Sequence, residues 1–172
     1  MLRGLEMSTV GPDKVVYYTS EYRNSVDEKR RIQIPAKWRA GSGDLGFTLI
    51  VWPGGGGGAC IRGLPPQQMD ELMRTIARMP VTDPKAVALR RLIGSKTEIS
   101  GLDKSGRLCI PEPMARAAAI EREAVVVGLL DRFELWNPER YSKTSAADEA
   151  LMDAAFQLLD QPFAQSLEGG IG

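Results

Sequence analysis

The sequence contains no histidine, which excludes imidazole-based triads and His-ligated metals while leaving carboxylate, lysine or cysteine chemistry open. Its two cysteines, Cys60 and Cys109, are too few for a disulfide framework and do not match a metal-ligand spacing. The N-terminal stretch lacks an apolar segment of the signal-peptide kind, so the expectation is a chain of the reducing cytoplasm. No run approaches the roughly 18 continuous apolar residues that a membrane span needs, and no membrane partner is expected. An excess of either charge is also missing. The 22 Lys and Arg residues balance 22 Asp and Glu, so any attraction to nucleic acid must come from local patches. With 172 residues, 43% of them hydrophobic and 26% charged, the chain reads as a soluble globular protein with one ordinary core or two small merged ones.

What the sequence does have is a repeat. Ser25-Val26-Asp27-Glu28-Lys29-Arg30-Arg31-Ile32-Gln33-Ile34-Pro35 returns as Gly101-Leu102-Asp103-Lys104-Ser105-Gly106-Arg107-Leu108-Cys109-Ile110-Pro111, at an offset of 76 residues. Asp27/Asp103, Arg31/Arg107, Ile34/Ile110 and Pro35/Pro111 are identical, and Val26/Leu102 and Ile32/Leu108 keep their character.

The first twenty residues show no helical period and read as an irregular arm whose tyrosines cover an edge. Tyr22, Asn24 and Val26 then share one face, a charged turn follows, and Ile32 and Ile34 alternate with Arg31 and Gln33, which predicts a hairpin with a charged tip. Residues 35–40 suit a short helix stopped by Gly41 and Gly43, and residues 47–52 a buried strand with its partner at 60–62. The glycine run 54–58 between them reads as a floppy loop. It leads into Ala59-Cys60-Ile61 and not into the Lys-Ser/Thr helix start of a phosphate cradle, so no nucleotide site is implied. Met69, Leu72, Met73 and Ile76 predict one helix ending near Met79-Pro80. Thr82 or Asp83 caps a second that carries Val87, Leu89, Leu92 and Ile93 and ends at Gly94. The second copy repeats the programme: strand 97–100, turn, strand 108–110, and helix 111–119. Residues 124–129 match 47–52, and residues 132–138 match 60–66 at an offset reduced to 72 because the glycine run has no counterpart. A tail helix from about Pro138 spaces Leu151, Met152, Ala155, Phe156 and Leu159 by three and four, and the end from Gln161-Pro162 reads as frayed.

A hairpin cannot bury a face alone, so two copies imply half-units that complete each other around a pseudo-twofold axis, with the two Asp-x-x-x-Arg turns in related positions. In such a turn the carboxylate takes backbone N–H groups or holds the arginine fork, and a pre-aimed guanidinium can grip a phosphate or read guanine. A single motif of this kind is most simply a structural bridge. The duplication, with Lys29, Arg30, Lys37 and Arg39 beside one copy and Lys104 and Arg116 beside the other, favours function. Catalysis is disfavoured: Cys109 lies in a strand with no histidine to activate it, and Asp27 and Asp103 each have an adjacent arginine, which opposes a raised-pKa acid.

At these residues the chain resembles the MraZ proteins, bacterial transcription regulators of the SpoVT-AbrB, swapped-hairpin class. Both motifs resemble the family pattern of a repeated [ST]-[LV]-D-x-K-G-R-hydrophobic-x-I-P, and Val125-Val126-Val127-Gly128, residues 131–136 and Glu139-Arg140-Tyr141 match further, over roughly residues 21–143 in all. The resemblance implies a mixed α+β fold of two AbrB-like swapped-hairpin β-barrel half-units per chain with peripheral helices. The implied segments are an arm (1–20), a first repeat (21–80), a connecting helix (81–95), a second repeat (96–143) and a C-terminal helix and tail (144–172). It also implies a cytoplasmic, nucleoid-associated, ring-shaped homo-oligomer, typically an octamer, that needs no cofactor or metal and is not an enzyme. Its implied partner is double-stranded DNA, bound at short tandem repeats upstream of the bacterium's own cell-division and cell-wall genes. By position, DNA contact falls on Arg31 and Arg107 with Lys29, Arg30 and Lys104, and turn shaping on Asp27, Asp103 and Gly106. Arg30 stands where the pattern has glycine, so the first turn is expected to be distorted or simply more basic. The alternative is an oligomeric scaffold or protein-interaction ring that has lost DNA binding.

Overall fold

The computed structural model describes residues 15–161; the first fourteen residues of the expected arm and the expected frayed end from residue 162 lie outside them. The fold is mixed α+β. In chain order the strands are β1 (Glu21–Ser25), β2 (Arg31–Gln33), β3 (Phe47–Trp52), β4 (Cys60–Leu64), β5 (Thr97–Ser100), β6 (Arg107–Cys109), β7 (Glu123–Gly128) and β8 (Phe133–Trp136). The helices are α1 (Pro66–Ala77), α2 (Pro84–Ser95), α3 (Glu112–Ala117), α4 (Pro138–Ala150) and α5 (Met152–Phe156). Asp83 and Asn137 cap α2 and α4 by accepting from the backbone N–H of Lys85 and Arg140, each ahead of a proline in the first helical turn.

Six strands form one antiparallel sheet in the order β1-β7-β8-β4-β3-β5, and β2 pairs with β6 in a separate ladder. The expected simple hairpins are therefore not formed. Each charged turn is closed by one isolated bridge, Val26 to Ile32 or Leu102 to Leu108, after which the two strands part. β1 pairs with β7 of the other half, and β5 with β3. The physical reason is burial: three-residue strands gain more by packing Ile32 against Leu108, both fully buried, than by staying in isolated hairpins. Nor do the halves close into separate barrels among the described residues, since the sheet is open and ends at β1 and β5.

The registers obey the sequence offsets. Ile32 faces its own counterpart Leu108, and Arg62 faces Glu134, its counterpart at the offset of 72. Exchanging the halves carries the pair Tyr22–Val126 into Glu98–Leu49, and the sheet order into its own reverse. A pseudo-twofold axis thus runs through the centre of the sheet and through the β2–β6 ladder.

The main core lies between the sheet and that ladder, where Trp38, Phe47, Phe133 and Tyr18 pack ring to ring. Of the two tyrosines expected to cover an edge, Tyr18 is instead buried in this core and bridges to Leu130, while Tyr17 is exposed. The opposite face of the sheet is covered by α1 and α2 around Ile50, Leu64, Ile76 and Ile93, and beside α4 by Cys60, Val125 and Trp136 with Tyr141. Several local expectations change. The first short helix is a 3-10 segment over Ala36–Ser42, and α2 runs through Gly94 with Val87 and Leu92 exposed. The glycine run lies partly against α4: a Cβ at Gly57 would overlap the Thr144 hydroxyl and one at Gly58 would meet the Arg140 guanidinium, while Gly55 and Gly56 are open, so the absence of side chains lets this loop approach the helix.

Candidate nucleic-acid interface

The two Asp-x-x-x-Arg turns are built alike, bond for bond. In the first, Asp27 N–H donates to Arg31 O (3.1 Å) and Arg30 N–H to Asp27 O (2.9 Å); in the second, Asp103 N–H donates to Arg107 O and Gly106 N–H to Asp103 O, both at 2.9 Å. The carboxylates complete each loop. Asp27 Oδ1 accepts from Lys29 N–H (2.9 Å) and Arg31 N–H (2.8 Å), and Asp103 Oδ1 accepts from Ser105 and Arg107 N–H, both at 2.9 Å. The second carboxylate oxygen receives the arginine Nε–H, at 2.7 Å for Arg31 and 2.9 Å for Arg107. Aspartate suits the position because its short side chain reaches its own turn's N–H groups, which glutamate would overshoot.

Because the turns sit at opposite ends of one short ladder, the pseudo-twofold brings their charges together. The Nη1 of Arg107 lies 3.9 Å from Asp27 Oδ2, which already holds Arg31. Two guanidiniums and two carboxylates therefore form one cluster. The arginine side chains are about one-third exposed, 32% for Arg31 and 33% for Arg107, and each is fixed through Nε. Their terminal nitrogens make no hydrogen bond among the described residues. Backbone N–H groups of Arg31 and Arg107 are the leading cause that holds Asp27 and Asp103, respectively, below the usual carboxylate range, with the guanidiniums adding to it. Neither carboxylate is the raised-pKa acid that a paired-carboxylate mechanism requires. Burial, with Glu134 as a lesser cause, pushes the Cys60 thiol up to about 12, and Cys109 is exposed.

Arg30 does not distort the first turn. It takes a left-handed φ of 58°, against 76° at Gly106, and leaves every bond of the turn in place. Lys29 and Lys104 are exposed on the two tips. Lys37 and Arg116 are not brought to them: Lys37 donates to the Thr19 and Ser20 hydroxyls, and Arg116 pairs with Glu112. Two residues beside the cluster were missing from the sequence-based set. Gln33 Nε2 donates to Ser105 O (2.8 Å), and its counterpart Cys109 donates through Sγ to Lys29 O (3.5 Å), so each outward side chain of the ladder braces the opposite turn. Their shared place in the repeat, outward in the strand alternation, was the available signal.

The chain as a whole has relatives among known proteins. A family model described as "MraZ protein, putative antitoxin-like" matches residues 95–161. A protein of Herpetosiphon aurantiacus named "Transcriptional regulator MraZ" is 38% identical over 135 residues, covering 77% of this chain and 91% of its own length. Proteins of the same name from Ligilactobacillus salivarius and Roseiflexus castenholzii are 32% and 30% identical, covering 83% and 86% of this chain and 97% of their own lengths. With identity at this level over nearly the whole of its relatives, and the repeated turn motif intact in both halves, the chain belongs to the MraZ family.

Proposed function

We propose that the protein is a sequence-specific DNA-binding transcription regulator that works through its two Asp-x-x-x-Arg turns. The observation that carries this reading is the cluster on the pseudo-twofold axis, in which Arg31 and Arg107 are held through Nε by Asp27 and Asp103, stay about one-third exposed, and make no hydrogen bond through their terminal nitrogens among the described residues. Such arginines have already lost most of their rotamer freedom, so they bind phosphate or a guanine edge at a smaller entropic cost. Arg31 and Arg107 make the principal contacts, Lys29, Arg30 and Lys104 add phosphate affinity, and Asp27, Asp103 and Gly106 shape the turns. The exchange of β1 and β5 between halves is our reading of the swapped-hairpin arrangement, with residues 21–80 and 96–143 as its two repeats. The regulator names of the relatives support the assignment.

The working form is a ring-shaped homo-oligomer, an octamer by the family resemblance, bound in the nucleoid to short tandem repeats upstream of the cell-division and cell-wall genes. Self-association is supported by the tail, where Leu151, Met152, Phe156, Leu158 and Leu159 are all exposed beside Asp148, Glu149, Asp153 and Asp160. α2 carries exposed apolar residues, Val87 and Leu92, and exposed residues of the opposite charge, Lys85 and Arg91. Joining tail to α2 is a heterologous contact, the kind that builds a ring when its rotation closes, and a ring adds weak single contacts into avidity on tandem boxes. That accounts for DNA binding by a chain of zero net charge.

Footprinting of the DNA immediately upstream of the gene tests the proposal. Protection of closely spaced direct repeats, lost steeply as salt rises, is the expected result. An unprotected duplex, or one with no repeats, favours the scaffold alternative.

A further inference from the structure

We infer that Arg39 and Arg30 are the positioning residues of the two turns, one for each, and that they meet a shared structural need in two different ways. The inference rests on the reading of the turns as DNA contacts. At the ends of the β2–β6 ladder, Ile34 N–H donates to Gly106 O (3.1 Å) and Ile110 N–H donates to Arg30 O (2.8 Å). In an antiparallel ladder the carbonyls of Ile34 and Ile110 would accept the N–H of residues 106 and 30 in return. Those N–H groups are already used in closing the turns onto Asp103 O and Asp27 O. Two carbonyls on fully buried residues are thereby left without ladder donors. Each accepts from a guanidinium instead: Ile34 O from Arg39 Nε at 2.9 Å, and Ile110 O from Arg30 Nε at 3.1 Å.

The two donors are not counterparts. Arg39 comes from the 3-10 segment after β2 and lays its guanidinium across the second turn, so that a Cβ at residue 106 would overlap it. Glycine at 106 therefore leaves the space in which the Arg39 guanidinium reaches Ile34 O, and it takes the φ of 76° without strain. The offset of 76 places Ala115 where Arg39 would recur, buried and without a donor. On that side the turn residue itself, Arg30, supplies the guanidinium, and the bond to Ile110 O accompanies its left-handed backbone. Gly106 with Arg39 and Arg30 with Ala115 are thus two solutions that give one hydrogen bond. Arg107 is aimed by a turn braced from a distant residue, while Arg31 is aimed by a turn that braces itself.

The test uses the full-length chain, amide hydrogen exchange, and titration of the upstream duplex over a range of salt. R39A should speed exchange at residues 105–107 by about tenfold, as expected for losing one brace, and leave residues 29–31 unchanged. It should weaken DNA binding by about tenfold with the salt slope unaltered, because Arg39 neutralises no phosphate. G106R alone should disrupt the second turn, whereas R39A/G106R should recover toward the parent in both readouts by relocating the guanidinium as in the first turn. Unchanged exchange at 105–107 in R39A, or a double variant no better than R39A, overturns the inference. A salt slope reduced by about one makes Arg39 a phosphate contact and overturns it as well. A parent chain that binds no duplex contradicts the DNA reading alone, and exchange still decides the bracing.

Discussion

Single residues at the turns show how much of the candidate site is local chemistry. Asp27 and Asp103 have folded pKa values held below the ordinary range, so their contribution is complete above that range and is lost as pH falls through the lowered values. Their contribution should be constant from neutral pH to about pH 5 and be lost progressively below it, and Asn at both positions should flatten that part of the decline in thermal melts taken across the acid range. A melt profile identical in parent and double Asn variant would contradict the assignment. The two thiols give a second check. Cys60 is buried with its pKa pushed up to about 12, and Cys109 is exposed beside the turns. A thiol-reactive reagent should modify one cysteine quickly in the native protein, peptide mapping should identify Cys109, and bound duplex should protect it.

Among the elements, the β2–β6 ladder is the one on which the account depends. Ile32 and Leu108 face each other with no exposed surface, so Ile32→Ala or Leu108→Ala should each cost about 3 kcal/mol in chemical denaturation, the usual range for a large-to-small core change. This ladder was legible in the sequence only in part. The copied motif gave the offset of 76 and the inward places of Ile32, Ile34, Leu108 and Ile110, which composition and alternation determine locally. The parting of β1 from β2 was not legible, because pairing across halves is a tertiary choice among strands of similar pattern. The outward direction of Val87 and Leu92 escaped the helical period for a similar reason: the sheet covers only one narrow stripe of α2, and periodicity does not say which apolar residues fall within it. The approach of the glycine run to α4 was not legible because a loop without side chains can be purely entropic, or can be the surface on which a helix rests. Thr144 and Arg140, which decide between these, lie more than eighty residues further on. At the site, the Asp–Arg bonds followed from the motif, but the bracing by Gln33, Cys109 and Arg39 depends on the two halves meeting.

For the whole molecule, zero net charge means that the proposed DNA binding has to come from local clusters, which the proposed assembly would multiply. Phe156 is 66% exposed on the tail, and Phe156→Glu should lower the oligomer mass in light scattering without unfolding the protomer, with weaker binding to multi-repeat than to single-repeat DNA relative to the parent. A variant of unchanged mass would remove the tail from the assembly. The central claim is that Arg31 and Arg107, presented together by the two turns, make the contact with DNA. Its most direct test is a fluorescence-anisotropy titration of the duplex upstream of the gene with the parent, Arg31→Ala and Arg107→Ala, repeated at several salt concentrations. The account predicts that each variant loses at least about tenfold in affinity, with a shallower salt dependence than the parent while its fold is retained. Two folded variants that bind like the parent would contradict it.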